Sequence, residues 1–96
     1  MTDRATFDAS LSGERPPQEF PPLIAALWNA RNGHWEAAHL LVQDMETPEA
    51  AWLHAWLHRK EGDPGNAGYW YTRARRPHSH ETLEVELETI TKTFVG

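Results

Sequence analysis

His54 and His58 are the residues of this chain best spaced to do chemistry together. Four positions apart on a helix, they are separated by about 6 Å of rise and share one face. Two imidazoles so placed can ligate one metal ion. The run is His54-Ala55-Trp56-Leu57-His58. It lacks the glutamate that follows the first histidine in zinc peptidases and serves there as general base. A third ligand must come from elsewhere, with His39 in the preceding helical segment and Glu61 one turn beyond His58 as the candidates. The competing reading is structural, with both rings packed as polar core residues that bond to neighbouring helices. That reading is the default: no metal, no cofactor. His78 and His80 fall in a linker and are expected to be solvated.

Other catalytic arrangements are absent from the sequence. There is no Gly-x-Ser-x-Gly and no phosphate-binding glycine loop, and the serines lie near the N-terminus or at Ser79. Glu84 and Glu88 are one helical turn apart, but exposed helix carboxylates usually only solvate a face. Gly62-Asp63-Pro64-Gly65 is fully explained as a turn followed by a helix N-cap. The expectation is therefore a protein that is not an enzyme. Five tryptophans with Tyr69 and Tyr71 exceed what a small core requires.

Composition narrows the classes further. Ninety-six residues make one domain, with 40% apolar and 24% charged residues, as in an ordinary globular chain. No cysteine is present, so disulfide and thiolate chemistry are excluded, which fits a reducing cytoplasm. No basic segment followed by an apolar run opens the chain, and no stretch approaches the length of a membrane span. The net charge of −5 argues against a general nucleic-acid binder, whose affinity comes from neutralising phosphates. The charge is uneven: Arg59, Lys60, Arg73, Arg75 and Arg76 outweigh Glu61 and Asp63, whereas Glu81, Glu84, Glu86 and Glu88 outweigh Lys92. The simplest reading is that the two segments face each other or share a solvated surface. A weaker reading gives Arg73, Arg75 and Arg76, with Tyr69 and Trp70, to RNA.

The elements that must position these residues are helices. Residues 1–19 hold few apolar residues and no helical period, so they are expected to form a flexible arm. Leu23, Leu27 and Ala30 mark a first helix over about 22–32, ended by Asn32-Gly33. Ala37, Ala38, Leu41, Val42 and Met45 give a second over about 35–46. Thr47-Pro48-Glu49 opens a third that runs to about Glu61 and carries Trp52, Leu53, Trp56 and Leu57. A fourth spans about 64–75, with Gly65 and Gly68 each costing roughly 1 kcal/mol against alanine. Close approach of a helix or aromatic ring would account for Gly68. Ser79 is expected to cap a fifth helix over about 80–94, whose Leu83, Leu87, Ile90 and Phe94 form one stripe.

The chain repeats itself. A shift of 29 residues lays Gly33 on Gly62, Ala26 on Ala55, Ala38 on Ala67 and Pro48 on Pro77. These are the turn glycine, the close-packing alanines and the terminating proline. A period in this range built from helix pairs marks helical repeat architectures. The pattern resembles a tetratricopeptide repeat. Ala55, Gly62, Ala67, Tyr71 and Ala74 stand at the small, turn, small, aromatic and small positions, and Ala26, Gly33, Trp35 and Ala38 do the same in the first copy. Val42 takes the aromatic position there, Met45 replaces the last small residue, and the spacing is shorter than the usual 34. The second copy also resembles the run HRKEGD…NA.YWY.RA of a group of small bacterial proteins of unknown activity.

The resemblance implies an all-α fold of about five helices: two tetratricopeptide-like repeats (20–48 and 49–77) and a C-terminal capping helix (79–95), forming one domain over 20–96. In that register His54 and His58 take inward positions usually held by leucine and tyrosine. Trp52, Trp56, Arg59 and Lys60 fall on the concave groove that holds a partner peptide. The leading expectation is thus a small non-catalytic interaction module in the bacterial cytoplasm. Trp52 and Trp56 would anchor a protein or peptide segment along the third helix, and Arg59 and Lys60 would meet an acidic side chain or C-terminal carboxylate. Two alternatives accompany it: the C-terminal helix covers the two indoles, or a homodimer does. The alternative function is a metal or small-enzyme site at His54 and His58.

Overall fold

Helix starts follow the capping chemistry of the sequence. The structure, a computed structural model, describes residues 2–96, and the described residues form six helices and no strand. These are α1 (Arg4–Ser10), α2 (Pro22–Arg31), α3 (Trp35–Val42), α4 (Pro48–Glu61), α5 (Pro64–Ala74) and α6 (Leu83–Val95). Thr47 accepts a bond from the Ala50 amide at 3.2 Å to start α4, and Asp63 accepts one from Asn66 at 3.1 Å to start α5. A proline at the first position of each loses no hydrogen bond there. The turns between α2 and α3 and between α4 and α5 both pass through a left-handed glycine, Gly33 at φ 77° and Gly62 at φ 86°. At both, a side chain would be strained.

The helix α4 is the centre of the molecule. Every residue from Ala50 to His58 is buried, because α2, α3, α5 and α6 all pack against it. A helix covered on all sides cannot keep a polar face toward water. Any polar side chain in that stretch must find its partners inside the protein, which places His54 and His58 in a demanding setting.

Two expectations are corrected. The N-terminal segment is not an unpacked arm: Asp3 caps α1 by accepting from the Thr6 amide at 2.8 Å, and Phe7 is fully buried with its ring 6.1 Å from that of Phe20. Arg4 makes a two-pronged contact with Glu88, both bonds 2.9 Å, and Trp28 donates its indole N–H to the Ser10 carbonyl at 3.1 Å. So short a helix carries no readable period, and its order comes from docking rather than propensity. The last helix starts later than Ser79 suggested. Thr82 caps it, accepting from the Val85 amide at 3.1 Å, while Ser79 bonds only within the linker. His78 is exposed in the linker, as expected, and its ring also lies 5.4 Å from that of Tyr71 and over Gly68, where an added Cβ would meet Cε1 at 2.8 Å. The ring of His78 thus packs on the side of Gly68 where a Cβ would stand.

A candidate metal centre

The expected groove on α4 is filled. Trp52 and Trp56 are each only 4% exposed, because α6 lies over them. Trp56 donates its indole N–H to the Leu83 carbonyl at 2.9 Å, and Trp52 donates to Glu86 at 3.1 Å. Arg59 bonds Glu86 at 2.6 Å and the Glu81 carbonyl at 2.7 Å. The open face expected for Trp52, Trp56 and Arg59 is therefore absent, and Lys60 alone of the four remains exposed. The carboxylate assigned to a partner comes from the chain itself. Glu86 is buried, and besides Arg59 and Trp52 it accepts the Tyr71 hydroxyl at 2.8 and 2.6 Å. Burial and that acceptor push the Tyr71 phenol above its usual range.

On another side of α4 the histidines converge. His54 and His58 project from one face, as their spacing requires, and α3 brings His39 against both. One ring nitrogen from each of the three lies within 4.8 Å of the others. The ring centroids are 4.7 Å apart for His39 and His54, 5.4 Å for His39 and His58, and 4.9 Å for His54 and His58. Of the two candidate third ligands, His39 joins the triad.

Glu61 takes a different place. Its carboxylate meets Nδ1 of His58 at 2.5 Å. A carboxylate oxygen only accepts, so Nδ1 of His58 is the donor in this contact. A carboxylate behind a ligating imidazole is the usual way a metal site orients its histidine and raises its basicity. Glu61 and Asp63 also form a second potential cluster with His58. Asp63 is already engaged as the cap of α5, and both carboxylates are exposed.

Two indoles wall the triad. Trp35 lies nearly parallel to His39, 4.8 Å away and 9° off, held by its own bond to the Leu57 carbonyl at 2.6 Å. Trp70 stacks on His54 at 3.7 Å and 15°. Burial holds the His54 imidazole far below its usual range, at about 3, with His39, His58 and Arg73 adding to the effect. Burial also lowers His39, and His58 adds to it. Both are therefore neutral near pH 7, the form that ligates a metal.

His54 is 3% exposed, and its Nδ1 is the buried side-chain polar atom without a hydrogen-bond partner among the described residues. Such an orphan costs roughly 1–3 kcal/mol. The structural reading of the histidines, as core residues satisfied by neighbouring helices, leaves this atom unpaired among the described residues. The indole walls and the carboxylate behind His58 were not anticipated from sequence. Trp35 and His39, four apart like His54 and His58, were the available signal. No family model, curated protein or solved structure matches this chain.

Proposed function

We propose that this protein binds one divalent transition-metal ion through His39, His54 and His58. The observation that carries this reading is the convergence of three ring nitrogens, one from each histidine, within 4.8 Å of one another, in a cluster whose His54 also holds a buried, unpartnered Nδ1. Three imidazoles and no thiolate suit Zn²⁺, Ni²⁺ or Cu²⁺ and not the oxygen-seeking Mg²⁺ or Ca²⁺. A tetrahedral site with bonds of about 2.0–2.1 Å sets ligand nitrogens about 3.3 Å apart, so the rings close inward by small rotations on binding. His39 is half-buried, which gives the ion its route in. Three protein ligands leave a fourth position for water or an exchangeable group.

The two hairpins α2–α3 and α4–α5, with equivalent left-handed glycines and buried alanines, support a tetratricopeptide-like fold whose groove is self-filled by α6. The test is calorimetric titration of metal-stripped, tag-free protein with Zn²⁺. One ion per chain should bind with a Kd on the order of 1 μM. His39→Ala and His58→Ala should each abolish that binding while far-UV circular dichroism stays unchanged. Equal binding by wild type and both variants would reject the site.

A further inference from the structure

Six of the seven arginines of this protein fall into two groups. Arg4, Arg31 and Arg59 each reach a carboxylate of α6. Arg73, Arg75 and Arg76, at the C-terminal end of α5, are exposed and reach none within 4.0 Å among the described residues. The acidic face of α6 therefore neutralises Arg59 and leaves the α5 cluster unanswered.

That cluster is held in place by aromatic rings. Arg73 lies over Trp70 at 5.1 Å and over Tyr69 at 5.8 Å, and bonds the Tyr69 hydroxyl at 3.1 Å. Arg76 lies over Trp52 at 3.5 Å. Stacking immobilises a guanidinium while its N–H groups stay free to donate, so less side-chain entropy is lost on meeting an oxyanion. Arg75 stands between them at φ 60°, a left-handed backbone in which glycine would cost less. An arginine kept there spends backbone energy to place its charge.

Two adjoining clefts carry the three side chains. One of about 140 Å³ is bordered by Arg73 and Arg75, and one of about 380 Å³ by Arg75 and Arg76, with Pro48 common to both. Glu46 borders the smaller cleft and Glu49 the larger. We infer that this surface docks an extended acidic peptide segment of another protein, whose carboxylates are taken in turn by Arg73, Arg75 and Arg76. Planar guanidinium groups match carboxylates with two parallel bonds. A nucleic-acid strand fits less well. Trp70 has His54 against its ring and Arg73 over it, and Trp52 is buried under Arg76, so neither indole offers a face for a base to stack on, which leaves Tyr69, with Arg73 over it, as the one exposed ring of the patch.

Arg75 gives a test that a purely structural role does not pass. Arg75→Gly relieves the left-handed backbone, so the melting temperature should stay level or rise by a few degrees. The probe is a fluorescein-labelled octapeptide, (Asp-Glu)4, followed by anisotropy at roughly 50 mM salt, where surface charges are weakly screened. Wild type should bind it saturably. Arg75→Gly, Arg73→Gln and Arg76→Gln should each weaken it about three- to tenfold, and Glu49→Gln should tighten it. No saturable binding by wild type, or unchanged affinity in Arg75→Gly, would overturn the proposal. So would tighter binding of labelled oligo(dT) through the same arginines, which would make this a nucleic-acid surface.

Discussion

Acidification should weaken this protein well before its carboxylates begin to protonate, and His54 is the main cause. Its folded-state pKa is depressed to about 3 by burial, against an ordinary 6.5. The unfolded chain therefore binds a proton that the folded chain refuses. The sign follows: stability from this group is fully present above pH 6.5 and is lost as pH falls toward 3. Each pH step of one below 6.5 costs about 1.4 kcal/mol, so moving from pH 7 to pH 5 removes roughly 2 kcal/mol through His54. His39 acts in the same direction. Glu88 is held down to about 2 by its bonds to Arg4 and Arg31, so its contribution is lost only below its ordinary 4.5. The window from pH 7 to pH 5 thus isolates the histidines. Urea denaturation with chelator present reads the effect. With a slope near 1 kcal/mol per molar, the midpoint should drop by roughly 2 M. His54→Phe keeps a flat ring against Trp70 and removes the titration, so its midpoint should fall by clearly less. A wild-type midpoint that is level between pH 7 and pH 5, or an equal fall in His54→Phe, would refute the claim that His54 is buried and neutral.

Three further outcomes follow from particular contacts. Phe7→Ala should cost about 3–5 kcal/mol by chemical denaturation, the usual cost of emptying a buried aromatic site, whereas an undocked N-terminal segment would lose nothing. Gly68→Ala should gain about 1 kcal/mol of helix propensity in a His78→Ala background and less in the wild-type chain, where the His78 ring must move aside for the Cβ. Equal gains in both backgrounds would show that the linker does not rest on α5. Glu61→Gln should weaken Zn²⁺ affinity about 10- to 100-fold without changing the 1:1 stoichiometry, and an unchanged affinity would remove the carboxylate from the site.

The sequence carried the local chemistry well. Thr47, Asp63, Gly33 and Gly62 mark their helix ends because a cap or a left-handed turn restricts residue choice in any fold. The pairing of His54 with His58 was legible for the same reason, since spacing along one helix fixes a shared face. What lay beyond reach depends on tertiary partners. Phe7 is a single large apolar residue in a seven-residue helix, and nothing local shows that Phe20, Arg4 and Glu88 will seat it. Trp52 and Trp56 look alike as groove anchors and as core residues, and only the docking of α6, with Glu86 over Trp52 and the Leu83 carbonyl over Trp56, decides between them. The imbalance of charge between residues 59–76 and 81–96 suggested two segments that face each other or share a solvated surface. The structure splits it, pairing Arg59 with Glu86 and leaving Arg73, Arg75 and Arg76 outward.

The central claim is that three imidazoles of this chain hold one ion. X-ray absorption at the zinc edge of the 1:1 Zn²⁺ complex counts those ligands directly. The account predicts three imidazole nitrogens at about 2.0–2.1 Å with one further light ligand, and only unbound, water-coordinated zinc in His39→Ala. A shell made mainly of oxygen, or one with a single imidazole, would contradict it.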